Sequence, residues 1–532
     1  MRPNIVLILV DDMGFSDLGI TGSEIRTPHI DQLARDGALM SAMYNCGRCC
    51  PTRASLLTGQ HPHSAGIGHM GAHLGTEAYQ GYLRSDCATV AETLGAAGYR
   101  TCLAGKWHVA GDFPARDTRN WRIGEPGHPM PRQRGFDRFY GIVDGATHFY
   151  SPHYLVDDET RVPALDDGFY FTDAITDKAI DWLSEPGADA PFFLYLAHAA
   201  PHWPLHAPPE DIARYEGVYN VGWDAIRTAR HETLNSLGVL ERNWDISPRD
   251  ADVPPWEAEP HPDWQAAKMA TYAAMVDRLD QSVGRLVAEL KAHGQFDNTL
   301  ILFLSDNGGC AEFMAEDGWA RYFPDTTHDG RHITLGNVPG LHPGDALTYQ
   351  SYDKPWANVS NAPFRRFKHH VHEGGIATPL IAHWPGHIHP GTVAHQPAHV
   401  MDILPTLLEA TGSAPLTEVN GQAARPLEGE SFLPCLLGRC WARAQPLFFE
   451  HEGNAAVRTG HFKLVRQHGQ PWELYDMAVD RTELTDLAGQ LGARERALQA
   501  DYARWADANA VLDWSVALPR LLNAWGLSSV DG

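Results

Sequence analysis

Two short groups of polar residues in this chain have the composition of a cation site. Each group comes directly after an apolar run: Asp11 with Asp12, and Asp306 with Asn307. If both runs are parallel strands of one sheet, both groups lie at the carboxyl ends of strands, where open α/β sheets bind ligands. Oxygen-only donors suit Ca²⁺, or Mg²⁺, rather than zinc. Acids after strands also serve as helix caps or turn residues, so the interpretation depends on the agreement between the two groups.

A second group with chemical potential is the cysteine segment at residues 46–59. Pro51 is expected to open a helix, which puts Cys49 beside a helix N-terminus, where free N–H groups and the helix dipole favour an anion. Arg53 adds a fixed positive charge one turn further on. The alternative is a buried or merely reactive thiol near a helix start.

The elements that must position these residues follow from hydrophobic periodicity. Three short apolar runs predict buried parallel strands, at residues 5–10, 191–197 and 300–305. Thr27 and Pro28 predict the N-cap and first residue of a helix, and spacings of three and four over residues 266–292 predict a long amphipathic helix. Strands alternating with helices predict an α/β sheet with helices on both faces.

The character of the chain changes near residue 440. Short strand-like pieces occur at 446–449 and 462–465. We therefore expect a catalytic α/β unit over residues 1–439 and a smaller C-terminal α+β unit, with a short antiparallel sheet, over residues 440–532.

Composition narrows the class of protein. The net charge of −24 repels phosphate backbones, which argues against nucleic acid as a partner. The eight cysteines are too sparse for a disulfide scaffold. No apolar run is long enough to span a membrane, and the first is followed by acids rather than by a signal-cleavage site. We expect a cytoplasmic protein with no membrane partner, or a periplasmic or secreted one if a leader has been removed.

Several motifs together resemble the formylglycine-dependent (type I) sulfatase family, and most closely bacterial arylsulfatases. The first is Cys49-x-Pro51-x-Arg53 continuing to residues 57–59, and the second is the block at residues 98–108. Further matching motifs lie at residues 200–204, 305–309, 363–375, 450–454 and 473–476, so the resemblance covers nearly the whole chain. Thr52 and Gln60 depart from the residues that many members carry. The resemblance implies an alkaline-phosphatase-like fold, with a central mixed, mostly parallel sheet and helices on both faces.

The resemblance also implies a function and a role for each site residue. The expected reaction is hydrolysis of small aryl or alkyl sulfate monoesters to an alcohol or phenol plus sulfate, through a covalent sulfo-formylglycine intermediate. A modification system would convert Cys49 to formylglycine (3-oxoalanine). The ligands of one Ca²⁺, with Mg²⁺ as the alternative, would be Asp11, Asp12, Asp306 and Asn307. The remaining catalytic groups would be the cations Arg53, Lys106 and Lys368, His108 for the proton of the nucleophile, and His202 for the leaving group, acting jointly with Lys368.

Two other functions remain open from sequence. One is a phosphonate monoester or phosphodiester hydrolase of the same superfamily, whose substrates are also monoanions. The other is a catalytically silent calcium-binding homologue, if Cys49 stays a thiol. Weaker candidates for substrate contact are His148 and three tryptophans of the long loops, for which core packing is the alternative: Trp223, Trp244 and Trp256.

Overall fold

The computed structural model describes residues 2–113, 121–185, 190–316 and 323–526. The strands within these ranges are β1 (Asn4–Val10), β2 (Ala38–Tyr44), β3 (Arg100–Lys106), β4 (Arg138–Ile142), β5 (Val156–Asp157), β6 (Thr160–Arg161), β7 (Phe192–Ala197), β8 (Thr299–Ser305), β9 (Thr334–Leu335), β10 (Thr348–Tyr349), β11 (Ala377–His383), β12 (Thr392–Ala394), β13 (Ala398–His399), β14 (Glu418–Val419), β15 (Gln422–Ala423), β16 (Leu447–His451), β17 (Asn454–Thr459), β18 (Phe462–Arg466) and β19 (Glu473–Asp476).

The helices in the same ranges are α1 (Pro28–Arg35), α2 (Cys49–Thr58), α3 (Val90–Ala96), α4 (Phe171–Ser184), α5 (Pro209–Ile212), α6 (Trp223–Leu237), α7 (Pro262–Ala292), α8 (Asp353–Ser360), α9 (Glu373–Ile376), α10 (Ile403–Thr411), α11 (Leu433–Leu436), α12 (Gly492–Ala508) and α13 (Trp514–Ala524). The two helices expected from sequence are confirmed as α1 and α7, although α7 begins four residues earlier, at Pro262.

A large mixed sheet forms the centre of the molecule, in the order β12-β2-β11-β8-β1-β7-β3-β4-β5-β6, with β13 also beside β2. Its middle strands β8, β1, β7, β3 and β4 are parallel, and β11 runs antiparallel between β2 and β8. The three strands predicted from apolar runs are confirmed as β1, β7 and β8. The expected mixed, mostly parallel fold is confirmed.

Both faces of this sheet are covered, as the alternation along β1 shows. Ile5, Leu7 and Leu9 belong to a core shared with α2, α3 and α10. Val6 and Ile8 belong to a second core, shared with α1, α4 and α7. Successive side chains of a strand point to opposite faces, so a continuous apolar run is what a doubly covered strand requires.

The C-terminal strands β16–β19 form an antiparallel sheet that packs against the larger unit. One face of this sheet joins the second core, and the other packs on α12. A buried ionic cluster also links the two parts: Lys463 of β18 contacts Glu373 of α9 at 2.9 Å and Glu483 at 2.8 Å, and Arg481 contacts Glu373 at 2.9 Å. The boundary at residue 440 stays a prediction.

Within the described ranges, none of the helices combines the length and apolar character needed to cross a membrane.

Candidate active site

The candidate site lies at the carboxyl ends of four neighbouring parallel strands. Val10, the last residue of β1, is in register with Ser305, the last residue of β8, so the two polar groups that follow these strands are adjacent. The loop after β7 carries His202, and β3 ends at Lys106. The strand order β8-β1-β7-β3 therefore brings residues that are far apart in sequence to one edge of the sheet.

The acidic residues form a compact, buried cluster. Asn307 Nδ2 donates to Asp12 Oδ1 at 2.6 Å, and the backbone N–H of Asp12 lies 3.4 Å from Asp306 Oδ1. Asp11, Asp306 and Asn307 are fully buried, and Asp12 almost fully. Asp12 has a left-handed backbone with φ of 65°, an unfavourable conformation for a residue other than glycine and one that tends to occur at functional sites.

Three buried cations surround this cluster. Arg53 donates to Asp306 Oδ2 from Nε at 3.0 Å and from Nη2 at 2.8 Å, and its Nη1 donates to the carbonyl of Lys106 at 3.0 Å. Lys106 Nζ donates to Asp11 Oδ2. Lys368 Nζ lies 2.9 Å from Asp12 Oδ1 and 3.0 Å from Oδ2. Each cation is thus held in place by a carboxylate of the cluster.

The charges control one another's ionisation. Burial alone would lower the pKa of Lys106, but the Asp11 carboxylate raises it overall, so the side chain stays an ammonium at neutral pH. The pKa of Lys368 is likewise raised well above its usual value, since the effect of the Asp12 carboxylate and other nearby groups outweighs that of burial. Burial, reinforced by the neighbouring Asp11 carboxylate, raises the pKa of Asp306. Additional positive charge among these carboxylates would relieve that repulsion.

The unpaired oxygens of the cluster fit a divalent cation. Asp11 Oδ1 and Asn307 Oδ1 are buried and make no hydrogen bond with any described residue. Asp11, Asp12 and His202 each offer a donor atom within 4.8 Å of the others. Buried oxygens without donors are costly, and carboxylate and amide oxygens are the ligands that Ca²⁺ and Mg²⁺ prefer.

Cys49 lies beside these cations at the start of a buried helix. We expected α2 to open at Pro51, but it begins at Cys49, and Pro51 occupies its first turn, where proline is tolerated. Arg48, at the N-cap, provides no side-chain cap for the helix. Cys49 is only 2% exposed, and burial raises the pKa of its thiol even though Lys106 and Lys368 oppose this shift. An unmodified Cys49 is therefore a poor nucleophile at neutral pH.

Two buried histidines face the same pocket. His108 has a left-handed backbone with φ of 60°, and burial, with Lys106 next in importance, lowers its pKa well below the usual range, so its ring is neutral. The ring packs against Gly145, where an added Cβ would lie 2.5 Å from His108 Nε2. His202 Nδ1 lies 2.6 Å from the carbonyl of Trp203, which assigns the proton to Nδ1 and leaves Nε2 facing Lys368 at 3.4 Å.

A pocket of about 520 Å³ opens over these residues. Its polar lining includes Cys49, His108, His202 and Lys368, all of which were predicted from sequence. Much of the remaining lining is apolar and comes from distant segments: Met70, Phe113, Ala146, Trp203, Phe323, Ala524 and Trp525.

Sequence reasoning missed several contributors to this pocket, among them Glu312 and Trp525. Glu312 accepts from Trp203 Nε1 at 2.8 Å, lies 3.8 Å from Lys368 Nζ and pairs with Arg48 at 3.3 Å. Trp525, just after α13, donates from Nε1 to Asp112 at 2.9 Å. Neither residue lies in a local pattern that predicts a site, since tertiary packing alone brings them to the pocket.

The weaker candidates lie elsewhere. His148 is buried, its Nε2 lies 2.9 Å from the carbonyl of Ala346, and its Nδ1 accepts backbone N–H groups, so it organises a loop. Trp223, a core residue, and the partly buried Trp256 pack edge to face, and both contact Trp356. Trp244 is buried in the same core.

Comparison with protein families gives two matches. Residues 3–413 match the model described as Sulfatase. Residues 365–501 match the model described as N-sulphoglucosamine sulphohydrolase, C-terminal.

Individual relatives span nearly the full chain. An arylsulfatase of Klebsiella aerogenes is 33% identical over 81% of this chain and 91% of its own length. An uncharacterised sulfatase of Schizosaccharomyces pombe is 31% identical over 92% of this chain and 90% of its own, so the similarity is not confined to bacteria. Among solved structures, the crystal structure of Ps i-CgsB is similar with a TM-score of 0.67, at 25% identity over 95% of this chain and 93% of its own.

Proposed function

The chain belongs to the sulfatase family and is a sulfuric ester hydrolase, and we propose that its nucleophile is a formylglycine made from Cys49. The observation that carries this proposal is the convergence of three buried cations on the carboxylate cluster beside Cys49. A sulfate monoester is an anion, so it needs such compensating charge in a site from which water is largely excluded. The hydrate of formylglycine supplies one hydroxyl to attack sulfur and a second whose deprotonation expels sulfate.

The other residues have distinct proposed roles. Arg53 and Lys106 hold the anionic end of the substrate, because their charges are fixed by Asp306 and Asp11. His108, neutral and with Nδ1 making no hydrogen bond to any described residue, takes the proton of the nucleophile. His202 returns a proton to the leaving oxygen, and Lys368, 3.4 Å away, is the group that can supply it.

The four ligands proposed for a divalent cation are Asp11, Asp12, Asp306 and Asn307. Their oxygen-only chemistry and the two unpaired oxygens support Ca²⁺, with Mg²⁺ as the alternative. When bound, such an ion supplies positive charge that favours an ionised nucleophile and polarises a sulfuryl oxygen. His202 lies within reach of the same carboxylates, but its backbone-bonded Nδ1 and the neighbouring Lys368 favour a proton-transfer role over ligation.

The pocket supports a small substrate with an apolar leaving group. Its volume of about 520 Å³ suits one ring rather than a polymer, and its side wall carries Phe113, Phe323 and Trp525. We therefore propose small aryl or alkyl sulfates as substrates and a formylglycine-generating system as a partner. The expected cytoplasmic location and the expected lack of a nucleic-acid partner stay predictions.

The test combines a mass measurement with a substrate panel. Conversion of Cys49 lowers the mass of the peptide that contains it by about 18 Da. Purified protein is assayed with p-nitrophenyl sulfate, a phenylphosphonate monoester and a phosphate diester. A shifted peptide together with preference for the sulfate supports the proposal. Faster turnover of phosphonate or diester favours the related hydrolase, and an unshifted peptide without turnover favours the silent homologue.

A further inference from the structure

A second cluster of metal-binding side chains lies outside the proposed catalytic groups, between the early part of the chain and the C-terminal sheet. His69 follows α2, His451 ends β16, and Glu452 lies in the turn between β16 and β17. Their donor atoms all lie within 4.8 Å of one another. The cluster thus joins two segments that are distant in sequence.

Two of the three donor-atom separations are close to those around a tetrahedral ion. His69 Nε2 lies 3.2 Å from Glu452 Oε1, and His451 Nε2 lies 3.5 Å from the same oxygen. Ligands about 2.0–2.1 Å from a tetrahedral Zn²⁺ are roughly 3.3–3.4 Å from one another. The two histidine rings are stacked, with centroids 5.0 Å apart and planes 8° apart.

The buried nitrogens of this cluster lack hydrogen-bond partners. His451 is fully buried, and neither ring nitrogen makes a hydrogen bond with any described residue. His69 Nδ1 likewise makes no hydrogen bond with any described residue. A neutral imidazole has a lone pair on one ring nitrogen, which can bind a metal. A buried nitrogen without a hydrogen-bond partner destabilises the folded state. A bound ion would provide a partner for Nε2 of His451, the nitrogen nearest Glu452.

A neighbouring histidine fixes the carboxylate. His369 Nδ1 contacts Glu452 Oε2 at 3.0 Å, and its Nε2 contacts Glu312 Oε1 at 2.9 Å. Glu452 Oε2 is thereby occupied, and Oε1 is left between His69 and His451. Groups that orient a ligand in this way are typical of metal sites.

We propose that His69, His451 and Glu452 form a second metal site, selective for a dication that accepts imidazole nitrogen, such as Zn²⁺. This site differs in chemistry from the oxygen-only cluster after β1 and β8, which suits Ca²⁺ or Mg²⁺. Three protein ligands leave one coordination position for water. Glu452 is partly exposed, with a quarter of its side chain accessible, so an ion can enter from solvent.

The site would stabilise the wall of the catalytic pocket. The His69 ring stacks on Trp514, the first residue of α13, at 5.4 Å. The same helix ends at Ala524, which lines the pocket together with Trp525. An ion bound by His69 and the β16–β17 turn would therefore fix the surface on which α13 packs. Its role would be structural, and it would not take part in the chemistry at Cys49.

Metal binding by the whole protein tests this proposal. Chelated protein is titrated with Zn²⁺, and with Co²⁺ as a spectroscopic probe whose visible bands report tetrahedral geometry. We expect one equivalent in the wild type, in the carboxylate-cluster variant Asp306→Asn, and in His293→Gln, a control at an exposed histidine. We expect His451→Gln and His69→Gln to lose this equivalent, and His369→Gln to bind about 10–100-fold more weakly.

A thermal measurement separates the site from the catalytic one. Zn²⁺ should raise the melting temperature of the wild type and of Asp306→Asn, and leave that of His451→Gln unchanged. The proposal is overturned if folded wild type takes up no Zn²⁺ or Co²⁺ with tetrahedral bands. It is equally overturned if Asp306→Asn abolishes that uptake while Glu452→Gln and His451→Gln retain it. His69→Gln, His451→Gln and Glu452→Gln test the site independently, so one variant that fails to fold does not leave the question open.

Discussion

The Nζ atom of Lys368 lies 3.4 Å from Nε2 of His202, in the pocket that both side chains line. Since His202 Nδ1 is occupied by a backbone carbonyl, Nε2 is the atom that can exchange a proton with the leaving group. A lysine ammonium held by Asp12 is beside it to replace that proton. This pair makes the leaving-group step the most direct place to test the proposed mechanism.

We predict that His202→Ala slows turnover of esters with poor leaving groups by about 10²–10⁴-fold, and of activated phenyl sulfates by roughly tenfold or less. A good leaving group departs without a proton, so it does not need the acid. The measurement is kcat/KM for a series of aryl sulfates that differ in phenol pKa. The matched control is His206→Gln, another buried histidine, whose Nε2 lies 2.7 Å from the carbonyl of Thr348. Equal losses across the series would exclude His202 as the acid.

Cys49→Ala should reduce sulfate release by more than about 10³-fold while leaving the fold intact, because it removes the nucleophile but not a packing contact of the sheet. Sulfate release and circular dichroism measure the two effects. Cys435→Ala, at a buried cysteine in α11, is the control and should keep its activity. Substantial turnover by Cys49→Ala would show that the nucleophile is another group.

Asp306→Asn should lower the affinity for the proposed Ca²⁺ by at least about tenfold and lower activity with it, since one anionic ligand is lost. Calcium content by elemental analysis and activity after chelation and re-addition of Ca²⁺ or Mg²⁺ are the measurements. Asp280→Asn is the control, a buried carboxylate that instead accepts the backbone N–H groups of His29 and Ile30. A variant at Asp306 that kept full calcium and activity would remove this residue from the ligand set.

Acid should destabilise the protein through His198. Burial lowers the pKa of His198 to about 3, and both ring nitrogens lack hydrogen bonds to described residues. Below pH 6.5 the unfolded chain binds a proton that the folded chain does not, so stability is lost as the pH falls from 6.5 towards 3. At pH 5 this costs about 2 kcal/mol. The free energy of unfolding is measured in urea at pH 7 and at pH 5. Its decrease between the two pH values should be smaller by this amount in His198→Leu than in the wild type. In the control His293→Leu the decrease should equal that of the wild type. The same drop in all three proteins would contradict the assignment.

Lys463→Met should lower the free energy of unfolding by about 3–5 kcal/mol, because it leaves the Glu373 and Glu483 carboxylates buried with one cation fewer. Arg285→Met, at an exposed pair with Asp177, should cost less than about 1 kcal/mol. Urea unfolding followed by fluorescence compares the two. A loss at Lys463 no larger than at Arg285 would mean that the cluster does not couple the two sheets.

Three strands of the central sheet, β1, β7 and β8, were predicted from sequence, and two that were not, β3 and β11, have identifiable reasons. The runs of β1, β7 and β8 are apolar throughout because both faces are covered. β3 begins and ends with charged residues, Arg100 and Lys106, so periodicity gave no signal there. β11 contains Pro379, which argues against a strand inside a sheet. The register shifts between Thr378 and Leu380, and this bulge accommodates the proline.

The polar centre of the site was more predictable than its walls. Residues such as Asp11 and Lys106 lie at strand ends or in recognisable motifs, so their approximate positions follow from topology. Phe113, Glu312 and Trp525 reach the pocket through long-range packing, which no local spacing encodes. The start of α2 at Cys49 was also missed, because Pro51 fits equally well at several positions of a first helical turn.

The contribution of Trp525 to the pocket has a consequence for biosynthesis. Position 49 is translated long before Ala524 and Trp525, which form part of the pocket wall beside it. Before α13 packs, the part of the wall made by Ala524 and Trp525 is missing, so the side chain at position 49 is more accessible than in the folded chain. An enzyme that modifies this side chain therefore has easier access before α13 packs than afterwards.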